Sequence, residues 1–155
     1  MLRRLFGRRE DLGEKLYFSH PTLTFHTKTE RECLEFLRSK FRDSKIINPA
    51  DYGFKGKGFF ENLISSSRIV CGLVIFEKYT YGVLKEMEYG VNLGKEVYTI
   101  ASESKEEFFR TKLRLKEGMP SEYERLSWEQ TKKLYSELQK KSYRGFFSFH
   151  QRRLF

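Results

Sequence analysis

Proline is scarce in this chain, with three residues in 155, at positions 21, 49 and 120. Long segments are therefore free of the residue that most reliably breaks helices and strands. Cysteine is scarcer still. Cys33 and Cys71 are too few for a disulfide scaffold and show no metal-ligand spacing, so they read as free core thiols of a reducing compartment. No apolar run reaches the ~18 residues of a membrane span. The basic start, Met1 to Arg9, is not followed by an apolar segment, which argues against a secretory signal. A glycine-rich phosphate loop and a dinucleotide fingerprint are both missing, as are internal repeats and low-complexity tracts. The expectation is a cytoplasmic protein with no membrane association, no metal and no cofactor.

What the chain does have is aromatic residues, 16% of the total, and enough length for a proper core. That composition belongs to a folded globule rather than a disordered segment. The net charge of +9 is unevenly placed. Four arginines and one glutamate fall in the first ten residues. Lys140, Lys141, Arg144, Arg152 and Arg153 fall in residues 138–155 with no acid. Basic ends therefore flank a nearly neutral middle. Residues 1–13 read as a basic arm in which Leu2, Leu5 and Phe6 form a short amphipathic turn. Residues 14–155 read as a single α/β domain, with a core over 15–100 and a C-terminal strand and helix extension over 101–155.

The stretch from Arg68 to Ile100 organises the rest. It opens on an apolar run, Ile69 to Phe76, with no polar alternation, which suits a strand covered on both faces. A short polar loop, Glu77 to Tyr81, follows. Val83, Met87, Gly90 and Val91 then recur at spacings of three and four, the signature of one helical face. Gly94 sits where a helix C-terminal glycine belongs, and Val97 to Ile100 restart a strand. Strand, helix and strand with such short connections make a parallel crossover unit. Glu86 falls one turn into the helix, past the carboxyl end of the strand, where open α/β sheets bind ligands. A carboxylate there acts as nucleophile or base, or merely favours the helix dipole. Glu88, two residues on, lies about 200° around the helix and points elsewhere.

Before this unit, Lys15 to Ser19 reads as the first strand, ending at His20-Pro21. The loop to Thr27 is rich in hydroxyls and leads into a helix with Thr27 as N-cap and Glu30 as its capping-box partner. Lys45 to Ile47 is a second short strand, stopped by Asn48-Pro49. A loop over 51–58 and a short helix through Phe59, Phe60, Leu63 and Ile64 come next. After Ile100, period-two patterning from Phe108 to Leu115 predicts a half-buried edge strand, broken at Gly118-Met119-Pro120. The last helix opens with Ser127 as N-cap and Gln130 completing the box. The end, Arg144 to Phe155, mixes aromatics with arginines. It suits a subunit contact, or stacking on single-stranded nucleic acid.

Gly82-Val83-x-x-Glu86, followed by Gly94-Lys95-x-Val97, resembles the core motif of the nucleoside 2-deoxyribosyltransferase-like superfamily, which includes deoxynucleoside 5′-monophosphate N-glycosidases. Gly82, Glu86, Gly94 and Lys95 match in register, and Met87 replaces a Leu or Ile. Glu88, Gly90 and Glu96 stand where that family has Gly, Ala and Pro. Thr80 stands where its transferases carry a base-contacting Asp. The resemblance runs from Lys15 to about Ile100. It implies a flavodoxin-like or Rossmann-like three-layer sandwich with a mostly parallel sheet and a C-terminal extension. It also implies Glu86 as nucleophile on a sugar anomeric carbon and Tyr17 as its hydrogen-bond partner.

On this reading, substrate contacts fall at Ser19, His20, Pro21, Asn48, Gly82 and Val83. The substrate is a small-molecule nucleoside or nucleotide, its phosphate held by the 19–27 and 51–58 loops and by backbone N–H groups near Gly82. The protein is expected to be a homodimer, with nucleic acid as a further partner for its basic termini. Two other readings stay open: a non-catalytic nucleotide-binding or sensor domain, and a basic nucleic-acid-associated protein.

Overall fold

The computed structural model describes residues 14–53, 55–102 and 112–140. The basic arm, the aromatic and arginine-rich end, and the part of the expected edge strand before Lys112 lie outside the described residues.

Five strands form the main sheet: β1 (Lys15–Ser19), β2 (Lys45–Ile47), β3 (Ile69–Leu73), β5 (Glu96–Ser102) and β6 (Leu113–Glu117), in the order β2-β1-β3-β5-β6. The first four are mutually parallel, and β6 runs antiparallel along β5 at the edge. Helix α1 (Lys28–Lys40) connects β1 to β2. Helix α2 (Lys57–Ser65) leads into β3, and α3 (Tyr81–Asn92) carries the chain from β3 to β5. A C-terminal helix, α4 (Trp128–Lys140), closes the described chain. The sheet is thus mostly parallel with a doubly wound strand order, a flavodoxin-like α/β arrangement.

The unbroken apolar run at β3 follows from burial on both faces. Ile69, Cys71 and Leu73 join Leu16, Phe18, Cys33, Leu37 and Ile100 in a core under α1. Val70 and Val74 join Tyr17, Ile64, Val83 and Met87 in a second core under α2 and α3. Both cysteines are free and buried, and burial holds their thiols well above the usual range. A third, smaller cluster of Leu23, Ile75, Tyr135 and Leu138 seats α4 over the carboxyl edge of the sheet.

Local chemistry explains most element ends. At the start of α1, Thr27 accepts from the Glu30 N–H at 3.4 Å. The capping box of α4 is complete, with Gln130 N–H to Ser127 Oγ at 3.1 Å and Ser127 N–H to Gln130 Oε1 at 2.9 Å. Helix α3 ends in a Schellman arrangement: Gly94 is left-handed, its N–H bonds the Val91 carbonyl, and the Lys95 N–H bonds that of Gly90.

The segment expected to be a polar loop from Glu77 is tighter than its sequence suggests. Strand β3 ends at Leu73, and Ile75 and Lys78 exchange reciprocal 2.9 Å backbone bonds. Phe76 (φ 50°) and Glu77 (φ 64°) occupy that two-residue turn in left-handed conformation. The chain then forms β4 (Lys78–Tyr79), which pairs in parallel with β7 (Glu124–Arg125). No helix among the described residues is long and apolar enough to cross a membrane.

Candidate active site

In an open parallel sheet, the carboxyl ends of two neighbouring strands diverge where their following connections go opposite ways. Here that point lies between β1, whose helix leads to β2, and β3, whose helix leads to β5. Side chains of Tyr17 and Ser19 share one face of β1 because strand side chains alternate. Glu86 meets both of them there. The Tyr17 hydroxyl donates to Glu86 Oε2 at 3.1 Å, and the Ser19 hydroxyl donates to Oε1 at 2.7 Å. Each carboxylate oxygen therefore has its own donor.

Two glycines bring the helix close enough for these bonds. Gly72 pairs with Ser19 across the ladder, and a Cβ on it would lie 2.0 Å from Met87 Sδ. On the next turn, a Cβ on Gly90 would lie 2.9 Å from Val70 Cγ2. Helix α3 thus rests directly on β3, with Met87 filling the space above Gly72. The residue before Met87 is Glu86, so this packing sets its depth. Neither Gly72 nor Gly90 looked special in the sequence as a contact point. The signal, in retrospect, is a glycine inside an otherwise apolar strand.

Burial pushes the Glu86 carboxyl up, the Ser19 and Tyr17 hydroxyls pull it partly back, and it settles at about 7. The side chain keeps a part-exposed edge. Burial and the neighbouring Glu86 charge push the Tyr17 phenol far above its ordinary value, so it stays protonated as a donor. Glu88 lies apart from this group and forms a surface pair with Lys85 at 3.5 Å.

The remaining residues expected at the site divide into three groups. Gly82 is exposed, with open space where a Cβ would be, so the backbone at the α3 N-terminus is approachable. Val83 points its side chain into the core under α3, leaving only its backbone on that rim. His20, Pro21 and Asn48 are buried behind the β1 loop. His20 pairs with Glu30 at 2.9 Å, and Asn48 caps a short 3-10 turn by accepting from the Ala50 N–H at 3.1 Å.

The hydroxyls that suggested a phosphate rim are largely turned inward. Ser19 serves Glu86, Thr24 bonds the Pro21 carbonyl at 2.8 Å, and Thr27 bonds the Thr24 carbonyl at 2.6 Å. Thr80 is buried, and Tyr135 of α4 hydrogen-bonds both it and Thr22. As N-cap of α3, Thr80 offers no side-chain bond. Instead, the first N–H of that helix, on Tyr81, donates to Thr131 Oγ1 of α4 at 2.9 Å. This remote cap, fifty residues away in sequence, was not visible to pattern reading.

No family model and no curated protein matches the chain. Among solved structures, it is similar to the 2-desoxiribosyltransferase from Leishmania mexicana. The two share 18% identity at a TM-score of 0.46, over 59% of this chain and 66% of that one.

Proposed function

We propose that the protein cleaves the N-glycosidic bond of a nucleoside or nucleotide, with Glu86 as nucleophile. One observation carries this reading. A carboxylate that ionises near neutrality is aimed across the β1–β3 switch point, held by one hydroxyl on each oxygen. A surface carboxylate that merely favours a helix dipole would have neither the burial nor the paired donors.

The chemistry follows a double displacement. As the bond from the anomeric carbon to the base nitrogen breaks, the base leaves with the electron pair and takes its proton from water. Positive charge develops on the sugar, and one Glu86 oxygen closes on the anomeric carbon to give a glycosyl ester. Tyr17 and Ser19 hold the carboxylate plane fixed during that approach, so little reorganisation is needed. Tyr17 does not act as the acid, because its proton is held too tightly. Attack of water on the ester returns free sugar and the Glu86 carboxylate; attack of a second base completes transfer.

Thr80 supports a second reading. Where the resembling transferases carry a base-contacting acid, this chain has a buried threonine bonded to Tyr135. That favours either hydrolysis without base exchange or nucleotide binding without turnover. Chromatography of free base released from a panel of nucleosides and their 5′-monophosphates separates the readings. The proposal requires release by the wild type and at least a 10³-fold loss in Glu86→Gln, on the order expected when a nucleophile is removed. Saturable nucleotide binding with no release by the wild type would leave the sensor reading in its place.

A further inference from the structure

We propose that His20 is a positioning residue for Glu86, acting through Ser19 and anchored by Glu30. This rests on the reading of Tyr17, Ser19 and Glu86 as the site, but its test does not depend on turnover.

Both ring nitrogens of His20 face oxygens. Nδ1 lies 3.1 Å from the Phe18 carbonyl oxygen, and Nε2 lies 2.9 Å from Glu30 Oε2. A carbonyl oxygen only accepts, and an ionised carboxylate only accepts. Nδ1 therefore donates to the Phe18 carbonyl, and Nε2 faces Glu30. Burial pushes the Glu30 carboxyl up, but the His20 ring, the His26 backbone N–H and the Asn48 side chain together outweigh burial, and the net shift is downward.

No ligand reaches this ring. Its side chain is 0% exposed. It stacks on Phe18 with centroids 4.0 Å apart and planes 8° from parallel, and Phe25 tilts against it at 4.8 Å. What it does touch is the backbone on the far side of Ser19. The Nδ1–H bond to the Phe18 carbonyl closes a loop over residues 18 to 20, so the peptides flanking Ser19 are clamped from both ends. The Ser19 hydroxyl, aimed by that clamp, gives the shorter of the two bonds to Glu86.

Glu30 anchors the clamp. Its carboxylate gathers His20 at the end of β1, the backbone N–H of left-handed His26 at 3.1 Å, and Asn48 at the end of β2. Three segments bordering the carboxyl edge thus converge on one buried anion. Buried charged networks of this kind contribute little net stability over apolar replacements. Their use here is orientation.

An NMR titration on the full chain tests the proposal. In ¹³C-carboxyl-labelled protein, Glu86 is titrated in the wild type, Ser19→Ala, Glu30→Gln and His20→Gln. Loss of a donor to a carboxylate raises its pKa. Glu30→Gln should therefore move the Glu86 midpoint up by about half a pH unit or more, in the direction of Ser19→Ala. His20→Gln, which keeps one donor to the Phe18 carbonyl, should move it less. A merely structural pair would lower the melting temperature without moving Glu86. The proposal is overturned if Glu86 titrates as in the wild type in folded Glu30→Gln while Ser19→Ala shifts it. A shifted Glu86 midpoint in a protein that releases no base would keep His20 in this role and remove the glycosidase reading.

Discussion

Glu86 sets the pH behaviour expected of the molecule. To attack, its carboxylate must be ionised, and it settles at about 7. The rate of base release at low substrate should therefore rise with pH through about 7 and level off above it. A profile already flat from about pH 5 upward would mean that Glu86 is not the titrating group. The same shift has a stability consequence of opposite sign. A carboxyl whose folded pKa is raised favours folding while protonated, and that contribution is lost as pH rises from the unfolded value toward 7. Glu86→Gln should then be more stable than the wild type by about 1–3 kcal/mol near pH 8, a range reduced for its part-exposed edge. The advantage should fade as pH drops toward about 4. Denaturant melts of both proteins across that range check it. The hydrogen bond between Tyr17 and Glu86 was legible because a short motif and a strand of known type placed each of them. The Ser19 bond to Glu86 was not, since its acceptor lies sixty-seven residues away and nothing local marks the pairing.

The closeness of α3 to β3 decides whether Glu86 reaches β1 at all. Gly72→Ala places a methyl against the fully buried Met87 and must displace the turn that carries Glu86. Overpacking of this sort costs about 1–3 kcal/mol. The variant should also lose base release more than its stability loss explains, which equilibrium melts and kinetics on the same preparation decide. Elements with local signals were readable: the α4 capping box, the Thr27 N-cap, the left-handed Gly94 and the doubly buried strand all follow from short-range chemistry, whereas Glu30, expected to complete a box with Thr27, instead takes the His26 N–H and His20. Two features were not. The Phe76–Glu77 turn uses left-handed residues that are not glycine, so the usual turn signature is missing. The α3 N-terminus is capped by Thr131, a tertiary contact with no sequence spacing to betray it.

At the scale of the whole molecule, strand order places the candidate site. A flavodoxin-like order has one switch point; Tyr17 and Ser19, which converge on Glu86, both come from β1 on one side of it, and Glu86 comes from the helix that follows β3. The crossover unit and the strands before it were sufficient to predict the mostly parallel α/β sheet. A half-buried edge strand was expected from alternation over Phe108 to Leu115; the described strand is Leu113–Glu117, its antiparallel direction was not foreseen, and Leu113 and Leu115 pack against the core under α1. Val91 and Leu93 are exposed at the far end of α3, 50% and 44% accessible. Together with the aromatic-rich composition, they motivate the expectation of a homodimer. Light scattering at micromolar concentration should give twice the 18.6 kDa chain mass, and a monomer throughout would refute it.

The central claim is a bond between Glu86 and an anomeric carbon, and mass spectrometry of the trapped intermediate reads it most directly. A 2-fluoro-substituted nucleoside, or its 5′-monophosphate, slows breakdown of the glycosyl ester by destabilising the positively charged transition state. After incubation and proteolysis, the peptide containing Glu86 should carry the mass of the fluorosugar. That mass should be absent in Glu86→Gln. Base released in stoichiometric amount with the peptide unmodified, or with the adduct on another residue, would contradict the account.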